Sequence, residues 1–320
     1  MSESNQPKIR IGISSCLLGE KVRFDGGHKH DSLVTGILGN HFEWVPVCPE
    51  VEIGLGTPRE SIRLVEIAHQ TRLVAPKSGT DHTEAMLRYA REKMKALAAM
   101  DLHGYILKKD SPSCGMERVR VYGSSGMPRR DGRGLFAGVL LDEFPLLPIE
   151  EEGRLHDVPL RENFVERVFA SYRWREFLKA KPKPRDLVAF HTRHKMTLLS
   201  HSEAHYRQMG PLVARAGKSP LAATLRAYEE LFVAALCVRA NPRKHANVLF
   251  HLSGFLKEHL DAADRAELAH TIEHYRKQLV PLVVPITLLN HHFRRHPVAW
   301  VLEQTYLNPY PSELMLRNHV

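Results

Sequence analysis

The chain has 320 residues, with 45 Lys+Arg against 36 Asp+Glu, 20 His and four Cys, and a net charge of +9. That length suggests two domains, and 43% hydrophobic with 25% charged residues is ordinary for a soluble globular protein, which excludes wholesale disorder, collagen-like repeats and coiled coil. Four Cys are too few for a disulfide scaffold, MSESNQPKIR lacks the apolar stretch of a secretory signal, and the longest apolar run, 279–289, is broken by two prolines short of a membrane span, so a reduced, cytoplasmic protein is expected.

In chain order, KIRIGISS (8–15) is a β-branched run that predicts a strand ending at Cys16. The next connection is long and rich in Gly and His, without a firm helical pattern, and FEWVPV (42–47) predicts a second strand ending at Cys48. In the segment 81–100, Ala85, Leu87, Ala90, Met94, Leu97 and Ala98 recur near a helical period, with N-caps available from Asp81 to Thr83. HGYILKKD (103–110) reads as a third strand running into the turn SPSCG. FAGVLLDEF (136–144) reads as a further strand and PLLPIEEE (145–152) as a proline-marked exit. YGSSGMPRRDGRG (122–134) holds three Arg and enough Gly for its amides to approach a phosphate. It lacks a Walker A pattern and reads better as a connecting loop. Strands alternating with helical segments predict an α/β, Rossmann-like domain with a largely parallel sheet over 1–159.

The character changes at 160. LRENFVERVFASYRWREFLKA (160–180) is an amphipathic helix, and KAKPKPRD (179–186) a Pro- and Lys-rich joint, so 160–186 reads as helix plus linker. The patterns at 187–209, 221–240, 246–260 and 265–280 are helical, which predicts an all-α domain over 187–320. Residues 151–320 hold 25 Lys+Arg against 17 Asp+Glu and 14 of the His, whereas 1–150 hold 20 against 19. A basic second half points to a polyanionic partner through counterion release; the plainer account is a solvated basic surface. Candidates for RNA backbone contact are Arg173, Arg175, Lys181, Lys183, Arg193, Lys195, Arg294 and Arg295, with Tyr172, Trp174 and Phe293 as stacking partners. His191, His194, His201 and His205 are spaced to share a helical face. They lack a Cys or an HExxH pattern, so satisfied histidines are expected there before a zinc site.

Cys16, Cys48 and Cys114 each follow a strand-like run and sit in a loop containing Gly or Pro. In open α/β sheets ligands bind beyond the carboxyl ends of the strands, where three such loops converge. Three convergent thiolates suit a soft centre, zinc or an iron–sulfur cluster, with one coordination position left open; buried apolar thiols are the alternative. Cys237, in LFVAALCVRA, reads as core. Around the three thiols, Glu50 is a candidate proton donor. Ser111 and Ser113 flank Pro112, and Arg23, Asp25 and Arg59 occupy loops that reach the same edge, as substrate contacts or as charge balance for carboxylates.

The loops SCLLGEKVRFDG (15–26), CPEVEIGLGTPRE (48–60) and KKDSPSCGMERV (108–119) together resemble the thiouracil desulfidase family over about residues 8–150. The resemblance implies a 4Fe–4S cluster held by Cys16, Cys48 and Cys114 with one iron free for substrate sulfur. It also implies proton-handling and substrate-assisting roles for Glu50 and Ser111; Arg23, Asp25, Arg59 and Ser113 stay substrate-binding candidates from the reading of the loops. The chain reads EIG at 52–54 where the family carries GG. Stretches 190–206, 245–257 and 281–296 resemble the helical domain of unknown function fused behind that module, an architecture similar to RudS-type tRNA 4-thiouridine desulfidases. The expectation is an enzyme, a hydrolytic desulfidase that converts 4-thiouridine in tRNA to uridine. The rivals are a desulfidase of free thiouracil-type bases and a non-enzymatic RNA-binding module with structural zinc.

Overall fold

The computed structural model describes residues 9–123 and 127–319. The chain divides into two compact units, Met1–Leu160 and Arg161–Val320. The first carries, in order, β1 (Ile9–Ser14), β2 (Phe42–Val47), α1 (Pro49–Glu52), β3 (Arg63–Ile67), β4 (Gln70–Val74), α2 (Thr83–Ala99), β5 (Gly104–Leu107), β6 (Val119–Tyr122), β7 (Pro128–Gly132), α3 (Leu135–Glu143) and β8 (Ile149–Glu151). Its main sheet has the order β2-β1-β5-β8 and is parallel throughout. A second four-stranded sheet, β4-β3-β6-β7, is mixed: it pairs β3 with β6 in parallel and closes each side with an antiparallel neighbour.

The central strands β1 and β5 are largely apolar because parallel strands inside a sheet are covered on both faces. Ile9, Ile11 and Ile13 are buried, as is all of β5. Gly12 lets the ring of Tyr105 lie on the β1 backbone; a Cβ there would stand 2.2 Å from a ring carbon. α2 buries Met86, Ala90, Met94 and Leu97, so Met86 rather than Ala85 or Leu87 opens its apolar face. Asp81 Oδ1 accepts the Thr83 N–H at 2.8 Å just before the first turn.

Two sequence expectations are corrected here. The run FAGVLLDEF is not a strand: Leu135–Glu143 is the helix α3, which buries Phe136, Ala137 and Leu140 and packs on α2. A continuous apolar run carries no alternation to mark a strand, and Leu and Ala favour helix when the buried face recurs at i and i+4. The strand lies instead in the proline-marked exit. Ile149–Glu151 forms β8 against β5 although it carries buried glutamates. Those charges are answered locally: Glu150 accepts from Arg154 Nε at 2.6 Å, and Glu151 from the Met116 N–H at 2.7 Å. The Gly/His-rich connection after β1 holds a π-helical turn, Val34–Leu38, preceded by Asp31, whose Oδ1 accepts the Leu33 and Val34 amides. In the stretch 122–134, Ser124–Gly126 lie outside the described residues. The rest supplies β7, where Arg129 pairs with Glu66 at 2.6 Å and Arg130 faces Asp110 at 3.8 Å.

The second unit is helical: α4 (Val158–Lys179, whose first residues close the first unit), α5 (Pro184–His201), α6 (Glu203–Ala214), α7 (Leu221–Cys237), α8 (Pro242–Ser253), α9 (Ala262–Arg276), α10 (Val283–Arg295) and the short α11 (Ala299–Leu302). The long pattern 187–209 splits at Ser202, which ends α5 and caps α6 by accepting the His205 N–H. Pro184 and Pro242 sit in first turns, where a missing N–H costs nothing. Among the described residues, two apolar clusters lie in the unit. One gathers Trp174, Phe190, Tyr228 and Phe232, and the other Leu249, Ile272, Leu289, Phe293 and Tyr306. Each fully buried large side chain contributes on the order of 2 kcal/mol through the apolar area it removes from water. Among the described residues no helix is long and apolar enough to cross a membrane.

Candidate functional site

The parallel register sets the site. Ser14 of β1 pairs with Val47 of β2, and Ile13 with Ile106 of β5, so the chain leaves all three strands at one sheet edge. Cys16 follows β1 in a 3-10 turn, Cys48 follows β2 as the N-cap of α1, and Cys114 lies in the turn after β5. All three thiols line one cavity of about 490 Å³, together with Glu50, Ser111, Ser113, Arg23 and Arg59. Cys114 is buried; Cys16 and Cys48 are half-buried. Burial pushes the Cys16 thiol up to about 11 against a pull from Lys108, and also raises those of Cys48 and Cys114. Among the described residues no three His, Cys, Asp or Glu side chains stand close enough to hold a single metal ion. The thiols frame a space rather than a point.

The third loop is the most tightly determined. Ser111 Oγ accepts the amides of Ser113 at 3.3 Å and Cys114 at 3.0 Å, which curls Ser111–Cys114 into a turn. The amino end of α3 holds that turn from behind, as Leu135 and Ala137 donate to the carbonyls of Pro112 and Ser113. Gly134 permits the approach: a Cβ there would stand 2.5 Å from the Ser113 carbonyl carbon and oxygen.

Within the cavity Ser113 Oγ donates to Glu50 Oε1 at 2.5 Å. Its single proton is therefore committed, so the 3.0 Å contact between the two hydroxyls has Ser111 donating to Ser113. The opposite carboxylate oxygen, Oε2, pairs with Arg59, whose Nη2 lies at 2.5 Å and Nε at 3.2 Å. Arg59 also donates from Nη1 to the carbonyls of Val22 at 2.9 Å and Gly56 at 2.8 Å, and its side chain is 5% exposed. The structure thus places Arg59 on Glu50 and the backbone, the charge-balancing arrangement, at the wall of the cavity. Arg23 lines the cavity. Asp25 does not: its carboxylate accepts the Gly27 amide at 3.0 Å and faces Arg23 at 3.4 Å, bracing the loop. At the departure EIG, Glu52 Oε1 accepts the Cys48 N–H at 3.2 Å while Lys93 binds Oε2 at 2.7 Å, so that side chain fastens the second thiol loop.

Sequence reasoning missed Ser14 and Lys108. Ser14 is 3% exposed, accepts the Lys108 N–H at 3.0 Å and hydrogen-bonds the Cys114 thiol. Lys108 lines the cavity and pairs with Glu152 at 2.5 Å. The available signal was a polar residue closing an otherwise apolar strand.

In the second unit Lys181, Lys183, Arg193, Arg294 and Arg295 are exposed, and Lys195 and Arg175 are half-buried. Arg173 is drawn inward: Nη1 donates to the Pro309 carbonyl at 2.7 Å and Nε to His194 Nε2 at 3.4 Å. Trp174 and Phe293 are 2% and 1% exposed, so the expectation that they stack on RNA is corrected; the α4 and α10 faces that carry them are core. Cys237, expected in the core, is exposed at the last turn of α7. The four histidines do not converge on a metal. His191 meets Tyr228 OH, His194 the Phe190 carbonyl, His201 both the Val238 carbonyl and Glu166, and His205 the Ser202 hydroxyl.

A family model described as 2-thiouracil desulfurase matches residues 11–152, and one described as a protein of unknown function, DUF1722, matches 195–311. The chain is 35% identical over 133 residues to the uncharacterized protein YbgA of Escherichia coli (strain K12), covering 41% of this chain and 79% of that protein. It is 30% identical over 135 residues to the uncharacterized protein YbbK of Bacillus subtilis (strain 168), covering 41% and 88%. Among solved structures, that of the 4Fe-4S-dependent thiouracil desulfidase TudS is 31% identical, with a TM-score of 0.39, covering 47% of this chain and 95% of that one.

Proposed function

The chain belongs to the 2-thiouracil desulfurase family through residues 11–152 and carries a DUF1722 module at 195–311, and from that premise we propose that it is an iron–sulfur-dependent desulfidase of thiolated uracil, acting on 4-thiouridine in tRNA to give uridine and hydrogen sulfide. One observation carries the reading: three thiols and a hydroxyl relay ending on Glu50 open onto the same cavity. The donor set fits a 4Fe–4S cluster held by Cys16, Cys48 and Cys114. It consists of soft thiols spread around a space, whereas zinc would draw its sulfurs to about 2.3 Å from one point. Thiols raised by burial also need a cation to hold them as thiolates, and a reduced, cytoplasmic setting to remain free.

When bound, such a cluster offers one open iron, a soft Lewis acid for a thiocarbonyl sulfur. The protein's own residues manage water and protons. Water adds at the thiocarbonyl carbon and passes a proton through Ser111 and Ser113 to Glu50 Oε1, along the direction those hydrogen bonds already set. Arg59 holds the other carboxylate oxygen and fixes the carboxylate in place. As the carbon–oxygen double bond forms, the carbon–sulfur bond breaks. The proton returned by Glu50, with the second from water, leaves on sulfur as hydrogen sulfide without net redox change. The tRNA assignment is supported by the basic second half and by the exposed Lys181, Lys183, Arg193, Arg294 and Arg295.

The test is anaerobic reconstitution with iron and sulfide, then mass analysis of nucleosides from thiolated tRNA beside turnover of free 2-thiouracil. Uridine replacing 4-thiouridine is expected. Survival of 4-thiouridine with iron fully loaded refutes the tRNA substrate, and turnover of neither refutes the desulfidase. Changing Cys16, Cys48 or Cys114 to Ala abolishes iron loading, whereas Cys237→Ala retains it.

A further inference from the structure

The helical unit has a cavity of its own, of about 480 Å³, on the face shared by α5, α6, the end of α8 and α11. Its walls are aromatic. Phe255 and Trp300 lie stacked with centroids 5.0 Å apart and planes at 23°, and His191 and Tyr206 lie stacked at 5.0 Å and 5°. Unlike Trp174 or Phe232, Phe255 is 37% exposed, and Tyr206 and Trp300 stay half-buried although they pack against the two apolar clusters. Lys195 stands one helical turn from His191 on α5, with Nζ 5.6 Å from the Trp300 centroid.

The charge of the cavity selects among ligands. Burial, and then the Lys195 charge, hold the His191 imidazole down at about 4 and also lower that of His251, so both rings are neutral near pH 7. The walls are therefore uncharged aromatic surface around one permanent cation. An aromatic cage without that lysine would suit a quaternary ammonium group. With it, a cationic ligand is repelled, and a flat ring joined to an anion is favoured. That is the chemistry of a nucleotide: the base gains from stacking on exposed aromatic rings, and its phosphate from a lysine.

We propose that this cavity binds an unpaired nucleobase of RNA, stacked on the Phe255–Trp300 pair with the adjoining phosphate on Lys195. The site is assigned from its own residues and needs none of the desulfidase chemistry. It replaces the stacking role that the sequence suggested for Trp174 and Phe293, both of which are core.

The experiment uses the iron-reconstituted full chain and a labelled, sulfur-free, uridine-rich single-stranded RNA, read by fluorescence anisotropy over a salt series, with unlabelled uridine monophosphate as competitor. Phe255→Ala is expected to weaken binding roughly tenfold, within the range for loss of one base–aromatic stack. Lys195→Gln, on a half-buried side chain that leaves the core intact, is expected to lower the salt slope by about one. A perfectly paired duplex should not distinguish wild type from Phe255→Ala, because its bases are already stacked. Competition by the mononucleotide at similar concentration identifies a free nucleotide as the natural source, and its failure identifies the RNA strand; either outcome supports the site. Unchanged affinity and salt slope in both variants overturn it. Turnover of thiolated uracil with unchanged RNA binding in both variants sinks this inference alone, and intact stacking without turnover sinks the desulfidase reading alone.

Discussion

Gly134 is where the fold and the proposed chemistry meet, and its replacement by alanine gives a sharp test. Its backbone, at φ −59° and ψ 141°, is open to any residue, so Gly134→Ala brings no conformational strain. Judged on chain entropy alone, it should stabilise the first unit by about 0.4–1 kcal/mol. Packing reverses the sign. The new Cβ would lie 2.5 Å from the Ser113 carbonyl carbon and oxygen and 2.9 Å from the Cys114 nitrogen, all of them backbone atoms that cannot rotate aside. Overpacking of this kind costs typically 1–3 kcal/mol, which for a unit of this size lowers the melting temperature by roughly 2–10 °C. Relief requires the Ser111–Cys114 turn to move, so iron loading should fall together with stability. The control lies one turn further on. Gly138 has only Arg133 Cδ at 3.7 Å near its Cβ position, and Gly138→Ala, inside α3, should stabilise by about 0.5–1 kcal/mol and leave iron loading unchanged. Thermal denaturation and iron content of both variants decide the matter. A Gly134→Ala protein as stable and as iron-rich as the parent refutes the argument.

Acid should destabilise the helical unit through its buried histidines. Burial holds His191 at about 4 and His194 and His245 at about 3, below the ordinary 6.5, so their contribution is complete above 6.5 and is lost as pH falls toward those values; at pH 5.5 each costs on the order of 1 kcal/mol, visible as a lower urea midpoint than at pH 7.5. The Glu166 carboxyl, raised by burial but brought down to about 2 by the His201 charge and hydrogen bond together with the charges of Arg317 and His245, adds a second loss between about 4.5 and 2. A urea midpoint unchanged between pH 7.5 and 5.5 contradicts this account. Arg59→Met strands a largely buried carboxylate and should cost about 3–5 kcal/mol, of which Glu50→Gln in the same chain restores part, measured as a double-mutant cycle in urea. Ser113→Ala interrupts the relay and should lower kcat by roughly a hundredfold with iron content unchanged; an equal loss of iron would show that the hydroxyl serves only to hold the loop.

The sequence by itself determined the strands β1, β2 and β5, the helix α2, the helical character of everything beyond residue 160, and the three loops that bear Cys16, Cys48 and Cys114. These are local facts: β-branched runs, a helical period and turn residues act within a few positions. Tertiary structure decided what local pattern leaves open. A short apolar run such as FAGVLLDEF suits either a strand or a helix, and packing on α2 chose the helix. Nothing local marks Glu150 and Glu151 of β8 as buried; the packed chain buries them and answers them with Arg154 and the Met116 amide. The same holds for function. Sequence named Glu50, Arg59, Ser111 and Ser113, but only the fold joined them into one directed hydrogen-bond chain and committed Arg59 to Glu50. In the helical half it identified aromatic residues among basic ones without distinguishing core from surface. Exposure is a property of the packed chain, and packing moved the stacking surface from Trp174 and Phe293 to Trp300 and Phe255.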